Sequence, residues 1–305
     1  MSGLKYFSRQ IAAFALVAGL AASAAATPLP KDDDSKSGVR SVTVTVVHKD
    51  DDSSTSRLDA SEFAVYRGDD RQQIVDVKGP SDSPLNVAVL IQDGLAVGVG
   101  NEISTIKEFI AALPEGSTVM VGYLRSTGLQ VRQAFTADRK KAIKALRIPL
   151  NNIDVGSAPF IGLEEALRRF DGVTGRNQVV MVSNGLQLNR DLASASPTNN
   201  IDLDRAISAA AKRGIPVWSI FANAPGRLGT SNLAVFYGQG CLNRLSDETG
   251  GRAFFSGRGF VTFDHALESI ARDMGDQYVI SYLGDGKGKL EVTTESTSVK
   301  LRHAE

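Results

Sequence analysis

The chain has 305 residues and as many basic as acidic side chains, 34 against 34, so no net positive charge favours nucleic acid as a partner. With 42% hydrophobic and 22% charged residues it has the make-up of a globular chain that buries a core unaided, not of a disordered or fibrous one. The single cysteine, Cys241, excludes an intramolecular disulfide and reads as a small buried hydrophobe at the start of a helix.

Lys5 and Arg9 precede an apolar run from Ile11 to Leu20 and the small residues Ala21 to Ala26. A positive start, a short greasy core and small residues are the order of a secretory signal peptide, so the mature chain is expected to begin near Thr27. A retained anchor is the alternative, although Ile11 to Ala26 is somewhat short for a bilayer. The expected location is periplasmic or extracellular. No later segment is apolar enough to span a membrane. Residues 27–38, rich in Pro, Asp, Lys and Ser, read as a flexible linker.

Ser41 to Val47 alternates β-branched residues and predicts a strand. Lys49 to Arg57, with Asp50-Asp51-Asp52, reads as a solvated loop that lacks the spaced ligands of a calcium site. Asp59 and Ser61 suit a brief helical turn. A strand follows at Phe63 to Tyr66, then a turn at Gly68 to Asp70 and a return strand at Gln73 to Val77. Residues 39–80 thus read as a small β unit, and residues 81–305 as one domain with C-terminal closing strands.

From Leu85 the pattern becomes strand–helix alternation. Val87 to Ile91 is a continuous apolar run, as in a strand buried on both faces. Glu102 to Leu113 has helical apolar spacing; Thr118 to Leu124 and Leu129 to Phe135 are strands around a turn. Ala137 to Leu146 predicts a basic amphipathic helix, whose Arg139, Lys140, Lys141, Lys144 and Arg147 form a solvated face or a contact for anionic envelope polymers or lipid. Further helices are expected at Pro159 to Phe170, at Asp202 to Arg213 with Gly214 as its C-cap, at Leu242 to Thr249 and at Phe263 to Met274. Strands are expected at Gln178 to Val182, Pro216 to Phe221, Arg252 to Phe255 and Gln277 to Leu283. Lys289 to Thr294 and Ser298 to Arg302 read as a closing pair. The alternation predicts an α/β fold: a doubly wound, mostly parallel sheet with helices on both faces.

Several segments resemble those of the von Willebrand factor A-related proteins exported by bacteria. Glu62-Phe63-Ala64-Val65-Tyr66 with Gln73-Ile74 looks like the strand unit that precedes their A domain. Leu245 to Phe254, through Gly250-Gly251, is similar to their late helix–strand junction. Gln277 to Tyr282 resembles their last core strand. The resemblance implies a site where an Asp-x-Ser-x-Ser loop, a Thr and a second Asp hold a divalent cation at the C-terminal edge of the sheet.

The sequence departs from that pattern. Asp93 matches the first Asp, but Leu95 and Val97 stand where the two Ser oxygens belong. Ser157 takes the place of the Thr, and Asn184 that of the second Asp. One carboxylate, one hydroxyl and one neutral amide hold a hard dication weakly, so no metal and no other cofactor is expected. Without a metal role, Asp93 reads as a strand end that caps the next helix.

Other chemistry finds no set of residues. Gly94, Gly98 and Gly100 lie before a helix, but the dinucleotide fingerprint puts a glycine where Ile103 stands, and no phosphate loop is present. His48, His265 and His303 share no metal-ligand spacing. The sequence therefore reads as a metal-independent, protein-binding module and not an enzyme. The alternatives are a nucleotide- or phosphate-binding α/β enzyme and a structural cell-envelope component. The binding face is expected at the loops carrying Asp93 to Gly100, Gly156 to Phe160 and Asn184 to Pro197, with Leu95, Val97, Val99 and Pro159 as apolar contacts and Phe160 as anchor.

Overall fold

The computed structural model describes residues 38–49, 58–150, 158–188, 191–255, 262–284 and 287–304. The expected signal peptide, almost all of the linker, the acidic run 50–52 and Ser157 lie outside the described residues. Residues Ser37–Glu305 form one compact unit.

Three strands come first: Gly38–His48 (β1), Phe63–Arg67 (β2) and Asp70–Lys78 (β3). The brief turn expected at Asp59 is present, with the Glu62 carboxylate accepting from the Asp59 N–H at 2.6 Å. Then follow Leu85–Gln92 (β4), Ile103–Ala112 (α1), Thr118–Arg125 (β5), Gly128–Thr136 (β6) and Arg139–Ala145 (α2). Pro159–Leu167 (α3), Arg176–Ser183 (β7), Ile201–Arg213 (α4) and Val217–Phe221 (β8) continue the alternation. The chain ends with Gly226–Thr230 (α5), Asn232–Glu248 (α6), Ala253–Phe254 (β9), Asp264–Gly275 (α7), Gln277–Gly284 (β10), Leu290–Thr294 (β11) and Val299–Arg302 (β12).

One six-stranded sheet has the order β6-β5-β4-β7-β8-β9. Its pairings are parallel except the β5–β6 hairpin. This is the mostly parallel sheet of an α/β fold. The pleat sends alternate residues of β4 to opposite sides. Val87, Val89 and Ile91 pack with Ile106 and Ile110 of α1 and Ile270 of α7. Ala88 and Leu90 pack with Phe160 and Leu163 of α3, Ala206 of α4 and Leu242 of α6. A strand covered by helices on both sides must be apolar throughout, which is why β4 reads as an unbroken hydrophobic run. As expected, α4 stops at Gly214, whose φ of 61° is left-handed.

The second sheet, β11-β2-β3-β10-β1-β12, is antiparallel throughout and crosses the boundary expected at residue 80. Gln277–Gly284 is therefore not the last strand of the parallel sheet; it lies between β1 and β3. Its alternation explains this. Tyr278, Ile280 and Tyr282 enter a core with Val42, Val44 and Val65, while Val279 and Ser281 face the other way. A strand with one half-polar face suits an antiparallel sheet. Nor are β11 and β12 a closing pair: they occupy opposite ends of the sheet. The sheet curls enough that the Val292 N–H on one edge donates to His303 Nε2, just beyond the other, at 3.1 Å.

Buried polar groups join the two sheets. Gln178 Oε1 on β7 accepts from Trp218 Nε1 at 2.8 Å and from Gln277 Nε2 on β10 at 3.1 Å. Arg176 is buried with no carboxylate partner among the described residues; it donates to the Ser83 and Met274 carbonyls, and burial lowers its pKa. Helix α6 starts at Asn232, not Leu242, so Cys241 lies in mid-helix. Gly238 and Gly240 look like helix breakers, but each marks a close approach. A Cβ on Gly238 would sit 2.0 Å from the Asn184 carbonyl oxygen, and one on Gly240 2.7 Å from Pro197 Cγ. Among the described residues no helix is long and apolar enough to cross a membrane.

Candidate functional site

Asp93 is the first residue beyond β4, at the C-terminal edge of the parallel sheet, where strands β4, β5 and β7 all deliver their following loops. Its N–H donates to the Leu124 carbonyl at 2.9 Å, which fixes the backbone against β5. Gly94, with φ of 78°, turns the chain at once and donates to the Leu150 carbonyl at 2.8 Å. The loop then crosses to the end of β8, where the Ala96 N–H meets the Asn223 carbonyl at 2.9 Å.

The Asp93 carboxylate does not cap the next helix. Oδ1 accepts from Arg147 Nη1 at 2.8 Å and from the Leu150 N–H at 2.7 Å, and Oδ2 accepts from Arg147 Nη2 at 2.8 Å. Arg125 Nε stands 3.5 Å from Oδ2. Two guanidiniums and a backbone amide thus occupy a carboxylate that is only 9% exposed.

Arg147 is held as firmly as it holds Asp93. Its guanidinium lies 3.7 Å from the centroid of the Tyr123 ring. Its backbone carbonyl accepts from Tyr123 Oη at 2.6 Å, and its N–H donates to the same hydroxyl at 2.7 Å. The hydrogen bonds that Arg147 donates to Asp93 raise the Arg147 pKa, and burial raises that of Tyr123. The expected basic face is corrected accordingly. Arg147 lies past the end of α2 and turns inward, and Arg139 donates to the Ala111, Leu113 and Pro114 carbonyls that end α1. Lys140, Lys141 and Lys144 remain on the surface.

Asn184 is also turned inward. Its Oδ1 accepts from Gln92 Nε2 at 3.1 Å and from the Leu186 N–H at 2.9 Å. Gln92 Oε1 in turn accepts from Ser183 Oγ at 2.5 Å and from the Asn184 N–H at 3.1 Å. The amide oxygen is thus used within the fold.

Burial removes most of the expected apolar contact surface. Leu95 and Val99 belong to the core on the α1 side, and Phe160 to the core on the α3 side, where it is 0% exposed. Pro159 is buried at the start of α3. Phe160 is therefore a packing residue and not an anchor: the first turn of α3 sits directly on the sheet, with Gln187 Oε1 accepting from the Phe160 N–H at 3.0 Å. Val97 alone among these five projects outward, 73% exposed. Ile148 and Leu150, beside the Asp93–Arg147 pair, are exposed, as are Leu233 and Phe236 in the first turns of α6, which follows β8.

Sequence reasoning missed Arg147 and Gln92 as members of the site. A signal existed for Arg147: Pro149 stops α2 just beyond it, so the residue no longer follows the helical period. For Gln92, a polar residue ending an apolar strand, nothing local indicated the Ser183 and Asn184 contacts.

No family model matches the chain, and no curated protein matches it. Similar solved structures include the conserved hypothetical protein BatB from Bacteroides thetaiotaomicron, at 14% identity and TM-score 0.46, covering 62% of this chain and 97% of that one. A von Willebrand factor type A protein from Catenulispora acidiphila matches at 13% identity and TM-score 0.46, covering 89% and 73%. The ArnB paralog VWA2 from Sulfolobus acidocaldarius matches at 8% identity and TM-score 0.43, covering 88% and 73%. At these identities and TM-scores no residue role is carried over from any of them.

Proposed function

We propose that the chain is an exported protein-binding module that works without a metal ion and without catalysis, and that it meets its partner at the C-terminal edge of the parallel sheet. The observation that carries this reading is the Asp93–Arg147 pair. The one carboxylate matching the metal pattern is closed by Arg147, Arg125 and the Leu150 amide, so a dication would have to displace a two-pronged ion pair. The same arrangement speaks against Asp93 as a general base, since both its oxygens are occupied. Around it Val97, Ile148 and Leu150 present apolar surface, which suits contact with a protein.

Calorimetry with magnesium and with manganese is expected to give no binding stronger than about a millimolar Kd, the weak end of protein sites for hard dications. Tighter binding would overturn the metal-independent reading. Cross-linking of the mature protein in its own envelope fraction is expected to capture a partner that Val97→Asp and Phe236→Asp release. An unchanged cross-link in both folded variants would move the interface elsewhere. Intact-mass measurement of exported protein tests export itself, with a start near Thr27 expected.

A further inference from the structure

At the opposite end of the parallel sheet the structure holds a second site, and it is independent of the reading above. A cleft of about 420 Å³ opens between the outward face of β1 and β10 and the turns that precede β7 and β8. That is the size range of small-molecule sites, which favour such junctions. It arises because the face of the antiparallel sheet turned toward the α/β layers is polar. Cross-strand neighbours Ser41 and Ser281 lie on it, as does Thr43 beside Val279. Close backbone packing at Gly214, where a Cβ would lie 2.9 Å from the Ser41 carbonyl oxygen, holds the two layers together at its margin.

Two features say what the cleft takes. Thr43 and Ser83 both line it and are only 5% and 6% exposed, yet neither hydroxyl has a partner among the described residues. Thr174, exposed at the rim, adds a third hydroxyl without a side-chain partner among the described residues. These hydroxyls line the cleft without a protein partner, and each can both donate to and accept from a ligand that enters it. The charges at the cleft, meanwhile, are already matched. Arg213 is held by Asp171 at 2.9 and 3.3 Å, and Lys78 lies 3.6 Å from Asp76. An anion would gain little from cations already paired. Val173, Ile215 and Val279 add an apolar wall.

We propose that this cleft binds a neutral polyhydroxylated ligand, a sugar unit, whose hydroxyls bond to Thr43, Ser83 and Thr174 and whose C–H face lies on the apolar wall. Hydroxyl groups match because each supplies a donor and an acceptor, as those of the wall do.

Saturation-transfer NMR on the full chain with glucose, galactose and N-acetylglucosamine tests this, with inorganic phosphate as the charged comparison. Transfer to at least one sugar is expected, and no phosphate binding. Thr43→Val and Ser83→Ala should each weaken the sugar roughly tenfold, the worth of one hydrogen bond, while Thr43→Ser retains it. If Thr43→Val fails to fold, Ser83→Ala carries the comparison. No transfer from any of the three sugars, phosphate binding in their stead, or affinity unchanged in the folded variants would overturn the proposal, leaving the cleft to water.

Discussion

The Arg147 guanidinium meets the Asp93 carboxylate through two contacts of 2.8 Å each, while its face lies on the Tyr123 ring. A residue just past a helix end is thereby bound to one just past a strand end, 54 positions away in sequence. The fixed fork of Arg matches a carboxylate in a way Lys does not.

Removing one half of this pair should therefore cost more than a surface bridge is worth. Arg147→Met leaves the carboxylate buried with Arg125 and the Leu150 amide, and is expected to lower stability by about 3 kcal/mol. Arg147→Lys should recover only part of this. Denaturant unfolding measures both, and a loss below about 1 kcal/mol, the level of an exposed ion pair, would show that the pair does not hold the loop.

Two glycines in helices should respond in opposite ways to the same substitution. Gly238→Ala drives a methyl into the Asn184 carbonyl, where backbone on both sides limits relaxation. We expect a loss of about 3 kcal/mol. Gly275, at the end of α7, has nothing within 4 Å, so Gly275→Ala should be neutral or stabilising by up to about 1 kcal/mol. Equal effects in thermal unfolding would contradict the close approach of α6 to the Asn184 loop.

Cys241 is fully buried, and its thiol lies 3.3 Å from the Ala195 carbonyl oxygen. Burial pushes its pKa up from 9.0 to about 12. The thiolate is the reactive form, so a thiol reagent at pH 8 should label the native chain far more slowly than the unfolded one. The linkage has a definite sign. The unfolded thiol ionises above pH 9 and the folded one does not, so this contribution to stability is whole below pH 9 and declines toward pH 12. Rapid native labelling would place the thiol at the surface.

Trp218 is the chain's only tryptophan and reports on the junction between the sheets. Gln178→Leu removes the acceptor shared by Trp218 Nε1 and Gln277 Nε2. Two buried donors then lose a partner, at a cost of about 2 kcal/mol, and the fluorescence of the folded state should shift. Unchanged emission with unchanged stability would mean that the Gln178 acceptor does not help to hold the two sheets together.

The α/β class was legible because its signal is periodic. An unbroken apolar run such as Val87 to Ile91 and the helical spacing of Ile103, Ile106 and Ile110 are properties of neighbours along the chain. So is the stop at Gly214, a left-handed position where glycine costs least. The departure from the metal pattern was legible as well, since by residue type alone Leu95 and Val97 lack a ligand oxygen and Asn184 lacks a charge. Tertiary structure decided what distant segments do to one another. That Gln277–Gly284 joins Gly38–His48 depends on pairing across 240 positions, of which each strand's own residues carry no record. That Leu95 is core and Val97 is surface depends on which side of one loop meets the sheet. That Asp93 binds a guanidinium depends on Arg147 leaving its helix toward the strand end. Local periodicity encodes which residues can be buried, whereas partner choice is set by the packing that closes over them.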